Sequence, residues 1–270
     1  MDPSTVGKIL LRPAFGLAGF AYIGGEASAY FHAAEETRLS PINLQTISHI
    51  LFDCRGYSST CPVTYCRQEA RVNLDEAKQL VRAAWPAIIA DSRQVSAGEL
   101  HYQAVTYHCL RAAGVPARQV GMNVKQWIGA PVSALYLERG NAKTEAYRGG
   151  FEPIPDIVLF APEIAGNWQR RNFANTLKHM LMAIEVKASE RANGRLSVRE
   201  IAADIAKLVA HRDEVAHLGG TMYPVMMVID VALSEHERMR SDAVNQCQAL
   251  AVDHRIGWMY ASQETDMCFV

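Results

Sequence analysis

Four short apolar runs do most to limit what this chain can become: Ile157–Phe160, Leu181–Ala188, Tyr223–Val231 and Ile256–Ser262. Each is short for a helix and dominated by apolar side chains, which is how strands of a buried sheet read. Helical signals separate them. Ser197-Val198-Arg199-Glu200 is a capping box, and Val198, Ile201, Ile205 and Leu208 follow it as a stripe that would pack on a sheet. Glu200 serves as the box partner, and Asp204 and Lys207 are expected on the exposed side of that helix. Ser234 to about Val252 reads as another helix. Upstream, Glu99–Ala113 is a helix with Leu100, Gln103, Tyr107 and Leu110 along one side and Gly114 ending it. Ala117–Val124 reads as a strand and Ala134–Leu137 as a short extra strand. The order helix, three strands, helix, strand, helix, strand predicts an α/β three-layer fold, a mixed sheet with helices on its faces.

The first 95 residues lack this rhythm and read as a mainly helical N-terminal extension, with the α/β domain covering 96–270. Ser40-Pro41 looks like a cap followed by proline at the first helical position, and Leu74, Ala77, Val81 and Ala84 mark a helix to about Ile89. Gly24-Gly25 and Gly149-Gly150 read as turns, since neither follows a strand and opens a helix as a phosphate loop does. At 49% hydrophobic and 20% charged residues the composition excludes disorder. No apolar run is long enough to span a bilayer. Lys8 and Arg12 sit among the apolar residues of the N-terminus rather than ahead of them, unlike a secretion signal. A cytoplasmic protein with reduced cysteines is expected. His49, Cys54, Cys61 and Cys66 are zinc-ligand types without the tight C-x2-C pair, and ordinary buried thiols are the plainer reading.

The chemistry is carried by Pro155-Asp156 and, after a long gap, Glu185-Val186-Lys187. Strand side chains alternate with period two, so Glu185 and Lys187 share a face while Ile184 and Val186 take the other. Asp156 stands at the mouth of the preceding buried strand. If the two strands are neighbours, two carboxylates and an ammonium converge. Carboxylate oxygens suit Mg²⁺ or Mn²⁺, which keep waters and share positions with substrate phosphate. A nearby lysine can orient the attacking water, act as a base if its pKa is lowered, and stabilise charge on phosphorus. Nine Lys or Arg against four acids between Trp168 and Arg212 give that segment +5, on a chain of net charge −1. A local anionic ligand would suit it, as would a solvated helix surface. Trp127, Tyr136 and Trp168 are candidates for stacking on bases, with packing as the ordinary alternative.

With Glu99 on a helix upstream, this arrangement resembles the PD-(D/E)XK, or restriction-endonuclease-like, nuclease superfamily, whose common core is αβββαβ. The resemblance covers about residues 97–232, extending towards 262. It implies a divalent-metal-dependent endonuclease in which Asp156 and Glu185 hold Mg²⁺ or Mn²⁺ and Lys187 is catalytic. Glu99 matches the additional acid that some members place on the first core helix, although a first-turn acid is also favoured by the helix dipole. Products with a 5′-phosphate and a 3′-hydroxyl, DNA rather than RNA as substrate, a restriction or defence setting and a homodimer are further implications. The alternative is a catalytically inactive nucleic-acid-binding or assembly module that keeps the fold. The stretch from Glu163 to about His179 is long for the family and reads as an insertion.

Overall fold

The structure is a computed structural model that describes residues 20–23, 26–29, 71–141 and 150–270. The chain divides into two compact units, Met1–Thr64 and Tyr65–Val270. In the first, β1 (Phe20–Ile23) pairs antiparallel with β2 (Glu26–Ala29), Ile23 opposite Glu26. This strand pair falls in a stretch where the sequence indicated helix or irregular chain. The helix expected after Ser40-Pro41 and the quartet His49, Cys54, Cys61 and Cys66 lie outside the described residues.

The second unit opens with α1 (Leu74–Ser92), capped reciprocally. The Asn73 side chain accepts from the Glu76 amide, and the Glu76 carboxylate accepts from the Asn73 amide. α1 buries Ala77, Val81, Ala84, Trp85 and Ile88. They join the cluster that includes Ile157, Ile184, Val225 and Met259, so this helix is one layer of the sheet's own unit. The sequence boundary near residue 95 had set it apart.

Six strands form the sheet: β3 (Val120–Met122), β4 (Ile157–Phe160), β5 (Met180–Ala188), β6 (Tyr223–Asp230), β7 (Gly257–Ser262) and β8 (Asp266–Phe269). They lie in the order β3-β4-β5-β6-β7-β8. β3, β4 and β5 run antiparallel in turn; β5, β6 and β7 are parallel; β8 returns antiparallel to β7. Parallel neighbours need long crossovers, and α5 (Val198–His217) and α6 (Ser241–Asp253) supply them. Ile157, Leu159, Met182, Ile184, Val186, Val225 and Met227 face α1 and α2 (Glu99–Ala112). Val158, Phe160, Ala183, Met226, Val228 and Trp258 face α5 and α6. Two-sided burial explains the unbroken apolar runs, each fully buried aliphatic side chain contributing about 1.5–3 kcal/mol. An α/β architecture with a mixed open sheet and helices on both faces results, as the sequence indicated.

Several elements differ from expectation. Ala134–Leu137 is not a strand but the start of helix α3 (Ala134–Asn141). The backbone amides of Val132 and Ser133 both donate to the buried Glu214 carboxylate of α5, which anchors the helix start with negative charge where it is favoured. The strand expected over Ala117–Val124 contracts to β3, because Ala117–Gln119 forms a 3-10 turn whose Gln119 side chain bonds Val72 and Phe160 backbone groups. Residues 234–240 precede α6 rather than joining it, since the Met239 amide is held by Asp230 Oδ2 at 2.7 Å. Leu100 is exposed; Tyr102, Gln103, Thr106, Cys109 and Leu110 form the buried side of α2. The stretch read as an insertion becomes two 3-10 turns and the short helix α4 (Phe173–Lys178), with Trp168 stacked on Phe160 at 5.5 Å. The four-residue β8, too short to be read as a strand, covers the β7 edge.

The capping box at Ser197 is present as read, and α5 ends at Leu218, followed by Gly219 at φ +77°, a left-handed position suited to glycine. Cys109, Cys247 and Cys268 are free thiols. Among the described residues no helix is long and apolar enough to cross a membrane. Glu214→Ala should lower stability by about 1–3 kcal/mol, because one buried and one part-buried amide lose their acceptor, and chemical denaturation should read that loss. Ser197→Ala should cost about 1 kcal/mol by the same measurement.

Candidate functional site

Asp156 lies one residue before β4, behind a buried Pro155. Ile157 pairs with Ile184, so the register carried one step further sets Asp156 across from Glu185. Period two then places Asp156 on the side of Val158 and Phe160, and Glu185 and Lys187 on the side of Ala183, which is the α5 side of the sheet. Asp156 Oδ2 accepts from the Val186 amide at 2.7 Å, fixing the carboxylate against β5. Between buried neighbours on their strand, Glu185 and Lys187 are half-buried. The two strands are neighbours and the three groups share one face.

Two helices complete the cluster. Glu99, first residue of α2, accepts from Lys187 Nζ at 3.1 Å. From α5, Asp204 Oδ2 lies 3.4 Å from the same ammonium. Lys207 Nζ pairs with Asp204 Oδ1 and stands 3.9 Å from Glu185 Oε1. The expectation that Asp204 and Lys207 occupy the exposed side of the helix is therefore corrected. Asp204 is 3% exposed, and Lys207, with its side chain 38% exposed, stands at the rim of the cluster facing Glu185. The signal was available, because 201, 204, 205 and 208 follow the i, i+3, i+4, i+7 rule for a buried helix face. Glu200 does close the capping box, and it also pairs with Arg191.

Four carboxylates around two ammonium groups shape the electrostatics. Burial raises the Glu185 pKa strongly, and repulsion from Asp156 and Asp204 adds to it against the pull of Lys207 and Lys187. Asp156 is also raised, first by burial and then by Glu99 and Asp204, although the Val186 amide opposes the shift. Burial works against the Lys187 ammonium, yet Asp204 and Glu99 outweigh it and its pKa is raised. Lys187 is thus a fixed positive charge rather than a base, contrary to one of the roles considered from sequence.

The cluster opens on two sides. A cleft of about 130 Å³ is lined by Glu99, Lys187, Arg191 and Arg195. Another, of about 210 Å³, is lined by Tyr136, Arg139, Phe151, Glu185, Lys207 and His211. Burial drops the His211 pKa to about 4, so its imidazole is neutral at pH 7. Tyr136 packs on Phe151 at 4.3 Å, Trp168 packs on Phe160, and the Arg170 guanidinium lies 5.2 Å over the Trp127 ring. These aromatics serve in packing. The basic residues of the Trp168–Arg212 stretch are dispersed among local partners: Arg170 pairs with Glu152, Arg195 donates to the His236 carbonyl and Arg212 to that of His254.

Among the described residues no group of three or more His, Cys, Asp or Glu is arranged to enclose a metal ion. Mg²⁺ does not require such a cage, since one or two carboxylates with water and substrate phosphate usually suffice. The donors that fit are Asp156 and Glu185, with Asp204 beside them. Their raised pKa values mean that the ionised pair is short of positive charge, which a cation would supply. Comparison with family models, with curated proteins and with solved structures gives no match to this chain. What the fold defines is an α/β protein with a six-stranded mixed open sheet, and a carboxylate–lysine cluster at the join of its antiparallel and parallel halves.

Because the folded carboxylates bind protons more tightly than unfolded ones, the folded state holds more protons above the ordinary carboxylate range near pH 4. Their contribution to stability should therefore fall as pH rises above that range. Glu185→Gln, which removes the charge and keeps the shape, should raise the stability of the cation-free protein at neutral pH by about 1–3 kcal/mol. Thermal melting with and without chelator across pH reads this, and an unchanged or lowered melting point in the variant would contradict it.

Proposed function

We propose that this protein is a divalent-metal-dependent nuclease that hydrolyses phosphodiester bonds, with DNA as substrate and endonucleolytic cutting in a restriction or defence setting. The observation that carries the reading is the convergence of Asp156, Glu185 and Lys187 on one face of adjoining strands, joined by the Asp156–Val186 hydrogen bond. The arrangement resembles that of the PD-(D/E)XK superfamily, and the order α2, β3, β4, β5, α5, β6 follows the αβββαβ core of that resemblance.

In this reading Asp156 and Glu185 hold Mg²⁺ or Mn²⁺. When bound, the ion polarises the phosphoryl oxygen and lowers the pKa of a coordinated water. Asp156 is held ready by the Val186 amide, so its carboxylate is oriented before substrate arrives. Lys187, kept charged by Glu99 and Asp204, stabilises negative charge gathering on the phosphate and orients the attacking water by hydrogen bonding. Glu99 acts in this scheme through Lys187, to which it is directly bonded, rather than as a metal ligand. Two such sites in a homodimer would cut both strands of a duplex.

Purified protein should cleave DNA with Mg²⁺ or Mn²⁺ and stop when the ion is chelated. Lys187→Ala should lower the rate by at least about a hundredfold with the fold intact, as monitored by circular dichroism. Full activity in that variant would overturn the assignment. DNA binding without cleavage in either ion would favour the inactive nucleic-acid-binding or assembly module instead.

A further inference from the structure

Lys207 is the one member of the cluster for which neither the sequence nor the reaction scheme supplies a role. Its position is specific. The ammonium pairs with Asp204 and stands 3.9 Å from Glu185, whose side chain is 16% exposed. Lys187 is held differently, between Glu99 at 3.1 Å and Asp204 at 3.4 Å, and its side chain is 23% exposed against 38% for Lys207. Lys187 is thus clamped between two carboxylates from two helices. Lys207 has one close partner on its own helix and a looser approach to Glu185.

A buried carboxylate without a countercharge is costly, and a positive side chain within reach relieves that cost. A divalent cation on Glu185 supplies the same relief with twice the charge, and a neighbouring ammonium then becomes repulsive. Two cations do not share one carboxylate cheaply at such range. Lys207 also lines the cleft that contains Arg139, Glu152 and His211 among apolar walls, so its long side chain has an opening to turn into. With Glu185 covered by the ion and Glu152 paired with Arg170, Lys207 and Arg139 would present two positive charges to an anion seated there.

We propose that Lys207 is a built-in counter-cation, which pairs with Asp204 and stands against Glu185 in the resting protein, leaves Glu185 when a divalent ion enters and then contacts a substrate phosphate in the Arg139–His211 cleft. The inference rests on the metal-site reading above. It makes cation binding and substrate binding successive uses of one lysine. The resting protein is protected from carboxylate repulsion, and the released charge appears only once the ion is in place.

The test is Mn²⁺ binding by titration calorimetry and electron paramagnetic resonance at neutral pH, on the full chain without nucleic acid. Lys207→Gln should bind Mn²⁺ about tenfold more tightly than the unmodified protein, because the competing charge is gone. Lys207→Arg keeps the charge and should bind as the unmodified protein does. It also guards against a folding artefact, with Lys207→Met as a second neutral variant. Cleavage by Lys207→Gln at saturating Mn²⁺ should fall about tenfold despite the tighter ion. Mn²⁺ affinity that is equal or weaker in both neutral variants overturns the counter-cation role while leaving the metal site standing. Tighter Mn²⁺ binding with undiminished cleavage overturns the substrate contact. No Mn²⁺ binding by any form, with Asp156→Asn indistinguishable from the rest, overturns the metal site and this inference together.

Discussion

Strand β5 must bury both of its faces and still carry two charged side chains on one of them. The rest of the unit can be read as a response to that conflict. One face, through Ile184 and Val186, is closed by α1 and α2 without difficulty. On the other, Glu185 and Lys187 meet α5 directly, and a purely apolar helix face there would leave Glu185 without a cationic partner and Lys187 with Glu99 alone. Asp204 and Lys207 are the answer, placed among Ile201, Ile205 and Leu208 on the same helix side. Charges taken out of water are tolerated only when paired and hydrogen-bonded, and here each has a partner from a different element.

The pairing is incomplete, and that is informative. Four acids share two lysines, so Glu185 and Asp156 are protonated more readily than ordinary carboxylates. A cluster selected only for stability would have balanced its charges or replaced them with aliphatic side chains, which cores accept at little cost. An unbalanced, mostly buried cluster that opens on two clefts, at the join between antiparallel and parallel strands, is better suited to receiving a cation and an anionic substrate in turn.

The fold was largely legible because its strands are short, apolar and two-sided, and because α5 opens with a complete capping box. The failures have physical causes. Ala134–Leu137 is helical because Glu214, 81 and 82 positions further along the chain, holds the two amides that precede it, and no local pattern reveals such an anchor. β8 is only four residues long, too short for a periodic signal, and exists because β7 offers an open edge. Leu100 points outward because the buried face of α2 runs through Tyr102, Thr106, Cys109 and Leu110, and Leu100 falls off that stripe.

The sequence by itself determined that Glu185 and Lys187 would share a face, because alternation along a strand leaves no other arrangement. It also marked Asp156 as the residue at the entrance of the neighbouring strand. Only the tertiary structure decided that β4 and β5 pair in the register that brings Asp156 to Val186, and that α5 turns Asp204 and Lys207 inward. Pairing and helix rotation are set by contacts between distant segments, where a buried face is recognised by what it meets rather than by what it contains. An acid and a lysine on a helix look like surface until the opposing strand is seen to carry their partners.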